Sequence, residues 1–167
     1  MTGLQKFAFL GAVLCAFTLP AGAQSVSRLP LPSPAPPIVA AVTVPPGYNT
    51  YYISGTPSGP MNPGIPQGSP GRWGDTAQQT DDSLNKLEAI LKQLGLGFGD
   101  VVKATVFLVG DPAKGGEIDF PAMNKEWAKR FGSADQPNKP ARSTVKVSLA
   151  TPGALVEIEL VAVKKAN

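Results

Sequence analysis

Residues Pro140–Lys164 read PARSTVKVSLATPGALVEIELVAVK. In an extended chain successive side chains turn to opposite faces. Arg142, Thr144 and Lys146 therefore share one face of a first strand, and Ala141, Ser143, Val145 and Val147 the other. In the second half Glu157 and Glu159 share a face, opposite Val156, Ile158, Leu160 and Ala162. With Pro152-Gly153 as a short turn between them, the stretch predicts an apolar sheet face backed by one carrying an arginine and two carboxylates. An arginine and a glutamate held on rigid strands are equipped to grip a small carboxylate and position a water. On the residues alone, Arg142 with Glu157 or Glu159 also reads as an ion pair across a strand face.

The preceding elements supply layers for that sheet. Ile38–Val44 predicts an edge strand stopped by Pro45-Pro46, and Thr50–Ser54 (TYYIS) a stronger one ending at Gly55. Asp75 with Gln78 has the spacing of a capping box. Leu84, Leu87, Leu91 and Leu94 then recur on one side of a helix over about Thr76–Leu94, with Gly95 as its stop. Gly95-Leu-Gly-Phe-Gly99 resembles a phosphate-cradling loop only superficially: it follows a helix and precedes a strand, the reverse of what anion binding at a helix start requires. Val101–Val109 (VVKATVFLV) predicts a central strand buried on both faces. Phe120–Phe131 predicts a second helix with a core stripe of Phe120, Met123, Trp127 and Phe131. The order β, β, α, β, α, β, β predicts an α+β layer fold with both helices on one sheet face. Two Pro/Gly-rich stretches, 55–74 and 110–119, are loops.

Composition limits the chemistry. The N-terminus has Lys6, an apolar run Phe7–Leu19 and small residues at Ala21 and Ala23, the pattern of a secretory signal cleaved after Ala23. The apolar run is shorter than the roughly 20 residues a membrane span needs, although an uncleaved anchor is the alternative. The domain reading is a signal over 1–23, a Pro-rich arm and edge strand over 24–49, and a folded domain over 50–167, which predicts a periplasmic or secreted protein. The segment 24–37 reads as a linker or loose arm. Lys6 is the only charged side chain in the signal, so cleavage lowers the formal net charge from +3 to +2. That near-neutral balance argues against nucleic acid or an anionic membrane as partner. The sequence holds no histidine, and its single cysteine, Cys15, lies in the signal. Ser-His triads, His-ligated metals and thiol nucleophiles are thereby excluded, and carboxylates, arginine and backbone groups must carry any chemistry.

Several strings match a known pattern: Ser54-Gly55, GDVVKATVFL at 99–108, Asn124 within the second helix, PARSTV at 140–145 and ALVEIELVAV at 154–163. Together they resemble the reactive-intermediate deaminase (RidA, or YjgF) family over roughly Thr50–Lys164. The resemblance implies a chorismate-mutase-like α+β subunit, a homotrimeric barrel with ligand clefts between subunits, and no cofactor. It implies hydrolysis of enamine or imine intermediates, of the 2-iminobutanoate or 2-iminopropanoate kind, to a 2-oxo acid and ammonia. Arg142 matches the arginine that holds the substrate carboxylate, and Glu157 the glutamate that handles the hydrolytic water. Ser54, Gly55 and Asn124 match pocket-lining positions, and Thr144 stands where many members have cysteine. The family's Gly-Pro-Tyr segment aligns with Pro36-Pro37-Ile38, so Ile38 replaces a tyrosine. That departure, with the export signal, motivates the alternative of a non-catalytic trimer that binds a small carboxylate. A ribonuclease activity, an older attribution in the family, is disfavoured by the mature charge and the missing histidine.

Overall fold

The alternation of Val156–Lys165 organises the sheet. In the computed structural model, which describes residues 25–32, 36–69 and 71–166, this segment is strand β6, numbered after β1 (Ser27–Pro30), β2 (Val39–Thr43), β3 (Tyr48–Pro57), β4 (Val101–Leu108) and β5 (Ala141–Lys146). Strand β6 pairs antiparallel with β3 on one side and β4 on the other, and β5 pairs parallel with β4, giving the order β3-β6-β4-β5. Ile158, Leu160 and Ala162 form a buried face with Ile53, Ala104, Val106 and Leu108. Helices α1 (Thr76–Gln93) and α2 (Phe120–Ala128) lie on that face, with Leu84, Leu87, Leu91, Met123, Trp127 and Phe131 completing the core. The fold is α+β with both helices on one side of a mixed sheet. The proposed signal, residues 1–23, lies outside the described residues.

Local chemistry sets the helix ends. Asp75 accepts a bond from Gln78 N (2.8 Å) while the Gln78 side chain accepts one from Asp75 N (3.1 Å), the expected capping box. At the other end Gly95 adopts φ 69°, its N–H donates to Lys92 O, and Leu96 N–H donates to Leu91 O at 2.8 Å. This is a Schellman ending, so the Gly95–Gly99 stretch is a helix stop and turn. Asp119 caps α2 through Ala122 N. That helix ends at Ala128, earlier than predicted, yet Phe131 still reaches the core and stacks on Trp127 at 4.2 Å.

Three expectations are corrected. The Pro152-Gly153 turn forms, with Ala154 N–H bonding Thr151 O and Gly153 at φ 91°, but β5 and β6 are not a hairpin. Strand β4 lies between them, and residues 147–155 cross its end: Val147 N–H bonds Leu108 O, and Val109 N–H bonds Leu155 O. Strand β4 is buried on the helix side only; Lys103, Thr105 and Phe107 on the other side are half-buried, because no described element covers them. The described residues of the N-terminal arm are not loose. Strands β1 and β2 pair with each other, and the Arg28 guanidinium donates to the carbonyls of Lys139, Gly99 and Val101. Proline is compatible with this ribbon because Pro30 sits at a strand end where no ladder N–H is required.

Behind α1, fully buried Gln79 satisfies its amide on four sides. Its Oε1 accepts from Ser58 Oγ (2.5 Å) and Leu155 N (2.7 Å), and its Nε2 donates to Gly74 O and Gly153 O. It ties the loop after β3 to the loop before β6. Gln79→Leu leaves Ser58 Oγ and Leu155 N–H buried without a partner, and we expect it to lower unfolding free energy by about 2–4 kcal/mol in urea titrations. Exposed Gln78→Ala, by contrast, removes only a capping contact, and about 1 kcal/mol or less is expected.

Candidate functional site

Arg142 lies on β5 at the sheet edge, and register decides where it points. Ala104 is the partner of both Arg142 and Leu160, whereas Phe107 is the partner of both Val145 and Glu157. Partnered residues share a face, so Arg142 lies with the core leucine on the helix side and Glu157 on the opposite, uncovered side. The single polar face expected from period two on each strand does not exist: the two strands are offset so that their polar sets fall on different sides. An arginine is tolerated on the helix side because β5 is the edge strand, where an aromatic wall covers its planar head without enclosing it.

That wall is α2. The Arg142 guanidinium carbon sits 4.8 Å from the Trp127 ring centroid and 5.8 Å from that of Phe120. One NH2 donates to Asn124 Oδ1 at 2.9 Å, and the other lies 3.9 Å from the Met123 sulfur. Among the described residues no carboxylate forms an ion pair with this cation. Burial pushes its pKa down to about 10, which still leaves it charged at neutral pH. By accepting from Arg142, the Asn124 carbonyl orients its amide so that the NH2 group stands beside the guanidinium. The pair presents several N–H donors to one small region, an arrangement suited to a carboxylate. Thr144 follows on the same strand face, and its Oγ1 is buried without a hydrogen-bond partner among the described residues. The segment carrying Ile38 is held beside this group by Trp127 Nε1 donating to Pro37 O (2.9 Å), Lys139 Nζ to Pro36 O (3.2 Å) and Val39 N to Pro140 O (3.1 Å).

Glu157 gathers a second group. Strand β3 bulges between Ile53 and Thr56, and Pro57 is the partner of Glu157. The bulge brings Gly55 against the carboxylate, where a Cβ on Gly55 would overlap Glu157 Oε1. Ser54, also in the bulge, is exposed, and Glu159 is exposed one register pair away. The predicted site residues therefore fall into two clusters within one chain, Arg142–Asn124–Thr144 and Glu157–Gly55–Ser54. Sequence reading placed Phe120, Met123 and Trp127 in the core. Met123 and Trp127 are there, but both also touch the arginine, and Phe120 is 42% exposed beside it. Phe120 and Trp127, four residues before and three after Asn124, share its side of the helix, and that spacing was the available signal. A separate cavity of about 800 Å³ opens at the end of the sheet among Trp73, Val109, Pro112, Pro152 and Leu155.

Residues 32–164 match the family model described as Endoribonuclease L-PSP. The chain belongs to that family, the Rid/YjgF family. It is 37% identical over 91 residues to a RutC family protein of Haemophilus influenzae, a match covering 54% of this chain and 65% of that one. The matched region is thus just under two thirds of that relative's length. It is 32% identical to protein DfrA of Myxococcus xanthus over 76% of this chain and 85% of the relative. Among solved structures, a Rid-family protein of unknown function from Yersinia pestis superposes with a TM-score of 0.56 at 27% identity, covering 75% of this chain and 85% of its own. The Rid/YjgF assignment accounts for the α+β layers and for the PARSTV and VEIE strings that carry Arg142 and Glu157.

The Arg142 environment has a thermodynamic consequence. A base whose folded pKa lies below its unfolded value is held charged against a penalty at every pH below about 10, relieved only as pH climbs from there toward the unfolded value. Replacing the guanidinium by an apolar chain of similar length removes that penalty while keeping the contact with Trp127. Arg142→Met is therefore expected to unfold at the same or a higher temperature than wild type at pH 7, with differential scanning calorimetry as the check. A marked drop in Tm would show that the charge itself holds the fold.

Proposed function

We propose that this protein is an exported, cofactor-free hydrolase that converts 2-imino acids or their enamine tautomers to 2-oxo acids and ammonia. The observation that carries the reading is the half-buried Arg142 cation, paired with a side-chain amide and with no carboxylate among the described residues. A substrate carboxylate supplies the missing anion. The imine carbon is already electrophilic, so the chemistry requires only a positioned water and a group to move its proton. Glu157 accepts that proton as the water oxygen bonds to carbon and the C=N electron pair moves to nitrogen. It returns that proton to the nitrogen, giving a carbinolamine, and then moves the hydroxyl proton of the former water to the amino group. The C–N bond breaks with its electron pair on nitrogen, ammonia leaves, and the carbonyl forms from the water oxygen.

Because Arg142 and Glu157 face opposite sides of one sheet, a site containing both is built between two copies of the chain. In this reading the uncovered face of β6, β4 and β5 is the inner face of a homotrimer, which brings Glu157, Gly55 and Ser54 of one copy to Arg142, Asn124 and Thr144 of the next. Covering Phe107 and Val145, the latter 39% exposed, favours the assembly. The absence of any thiol after removal of residues 1–23, with Thr144 at the position where many relatives have cysteine, is in keeping with an exported, oxidising setting. The supply of imine must then lie outside the cytoplasm as well.

Mature protein is expected to accelerate ammonia release from imines produced in situ by an amino-acid oxidase. Glu157→Gln should lower kcat by about 10²–10⁴-fold, and Arg142→Ala should lower kcat/KM by a similar factor. No acceleration by wild type, together with retained binding of 2-oxo acids, would sink the hydrolase reading in favour of a carboxylate-binding protein. Co-refolding the two inactive variants in equal amounts tests the shared site: random trimers give about a quarter of the sites both wild-type groups. Recovery of about that fraction supports the composite site, and a mixture that stays inactive overturns it. Gly55→Ala meets only the movable end of Glu157, so unfolding should change by less than about 0.5 kcal/mol. Its kcat should nonetheless fall about tenfold or more, as displaced catalytic groups do.

A further inference from the structure

We infer that the Arg142 cleft selects carboxylates with a large apolar substituent on the α-carbon, and that Phe120 sets this preference. The inference rests on the reading of Arg142 as a carboxylate anchor and extends it to the class of substrate. Phe120 is the first residue of α2, one turn before Asn124, so the two side chains are neighbours on one side of the helix. Its ring centroid is 5.8 Å from the Arg142 guanidinium carbon. Met123, Trp127 and Phe131 are fully buried, whereas Phe120 is 42% exposed. Its ring is therefore not absorbed by the core and presents open apolar surface beside the donors that would hold the carboxylate. The Pro36–Ile38 segment is tied to Trp127, the ring beneath the same guanidinium, and to Lys139. It offers two prolines and an isoleucine. A ligand held at its carboxylate by Arg142 and Asn124 projects its α-substituent between apolar walls, so an aromatic or branched aliphatic group gains contact that a methyl group does not.

The test uses mature protein and imines generated by an amino-acid oxidase from phenylalanine, leucine and alanine. Wild type should show kcat/KM at least about tenfold higher for the phenylalanine- and leucine-derived imines than for the alanine-derived one. In Phe120→Ala that ratio should fall toward one, and Phe120→Leu should recover part of it. An unchanged ratio in Phe120→Ala overturns the assignment to Phe120, and a wild-type ratio near one overturns the selectivity. Calorimetric binding of phenylpyruvate and pyruvate, the stable keto products, separates this inference from the hydrolase reading. A preference for phenylpyruvate that is lost in Phe120→Ala, with no imine turnover, supports the selectivity and refutes hydrolysis. Turnover without any side-chain preference does the reverse. Binding of neither keto acid and no turnover overturns both. Thermal unfolding of Phe120→Ala close to that of wild type confirms that the comparison is between folded proteins.

Discussion

Trp127 is the contact on which the rest of the site depends. It is fully buried, stacks on Phe131 at 4.2 Å, donates its indole N–H to Pro37 O and lies under the Arg142 guanidinium. One side chain thus joins the core, the N-terminal arm and the candidate anion anchor. An aromatic ring suits this combination: its face accepts a cation after much of the cation's water has been removed, and its edge carries one donor that must find a partner when buried. The Pro37 carbonyl is that partner. Since Pro37 precedes Ile38, the same bond helps set the position of Ile38.

The sheet separates two kinds of surface. On the helix side, alternate residues of β6 and β4 are apolar and fully covered. On the other, the rows run Val161–Lys103–Ala141, Glu159–Thr105–Ser143 and Glu157–Phe107–Val145. This mixture is too polar for a core within one chain and too apolar to be left in water without cost. A face of that composition accommodates assembly while leaving a carboxylate such as Glu157 accessible at its border.

Much of the fold was legible because it depends on local rules. The Asp75–Gln78 box, the Gly95 stop and the leucine stripe fix α1 from nearby residues alone, and the alternation of Val156–Val163 fixes which face of β6 is buried. Which strands are neighbours was not legible. Period two assigns faces to a strand but does not name its partner, and Pro152-Gly153 forms the same turn whether the chain returns beside itself or steps over another strand. Residues 147–155 are long enough to span the two inter-strand spacings, about 9.6 Å, that β4 occupies. The relative phase of β5 and β6 is then set through β4, a segment some forty residues upstream. That is why Arg142 and Glu157, each correctly placed on its own strand, were wrongly placed on one face. Arg28 was missed for a related reason: a lone arginine in a Pro-rich segment gives no sign of the three carbonyls that converge on it from Lys139, Gly99 and Val101.

The arrangement also explains why the proposed site, which uses both Arg142 and Glu157, requires assembly rather than a deeper pocket. A guanidinium buried on the helix side gains from Trp127 and Asn124 but loses hydration, which lowers its pKa to about 10. Had Glu157 shared that face, the two would have formed an internal ion pair, and a substrate carboxylate would have had to compete with it. Placing the carboxylate across the sheet keeps the cation unpaired among the described residues and keeps the proposed base from being neutralised by it. In the proposed composite site, the charges meet only where two copies meet, around a ligand that bears an anion at one end and an electrophilic carbon at the other. Opposite faces on one sheet are thus a way of storing two complementary charges in a single small fold without letting them cancel.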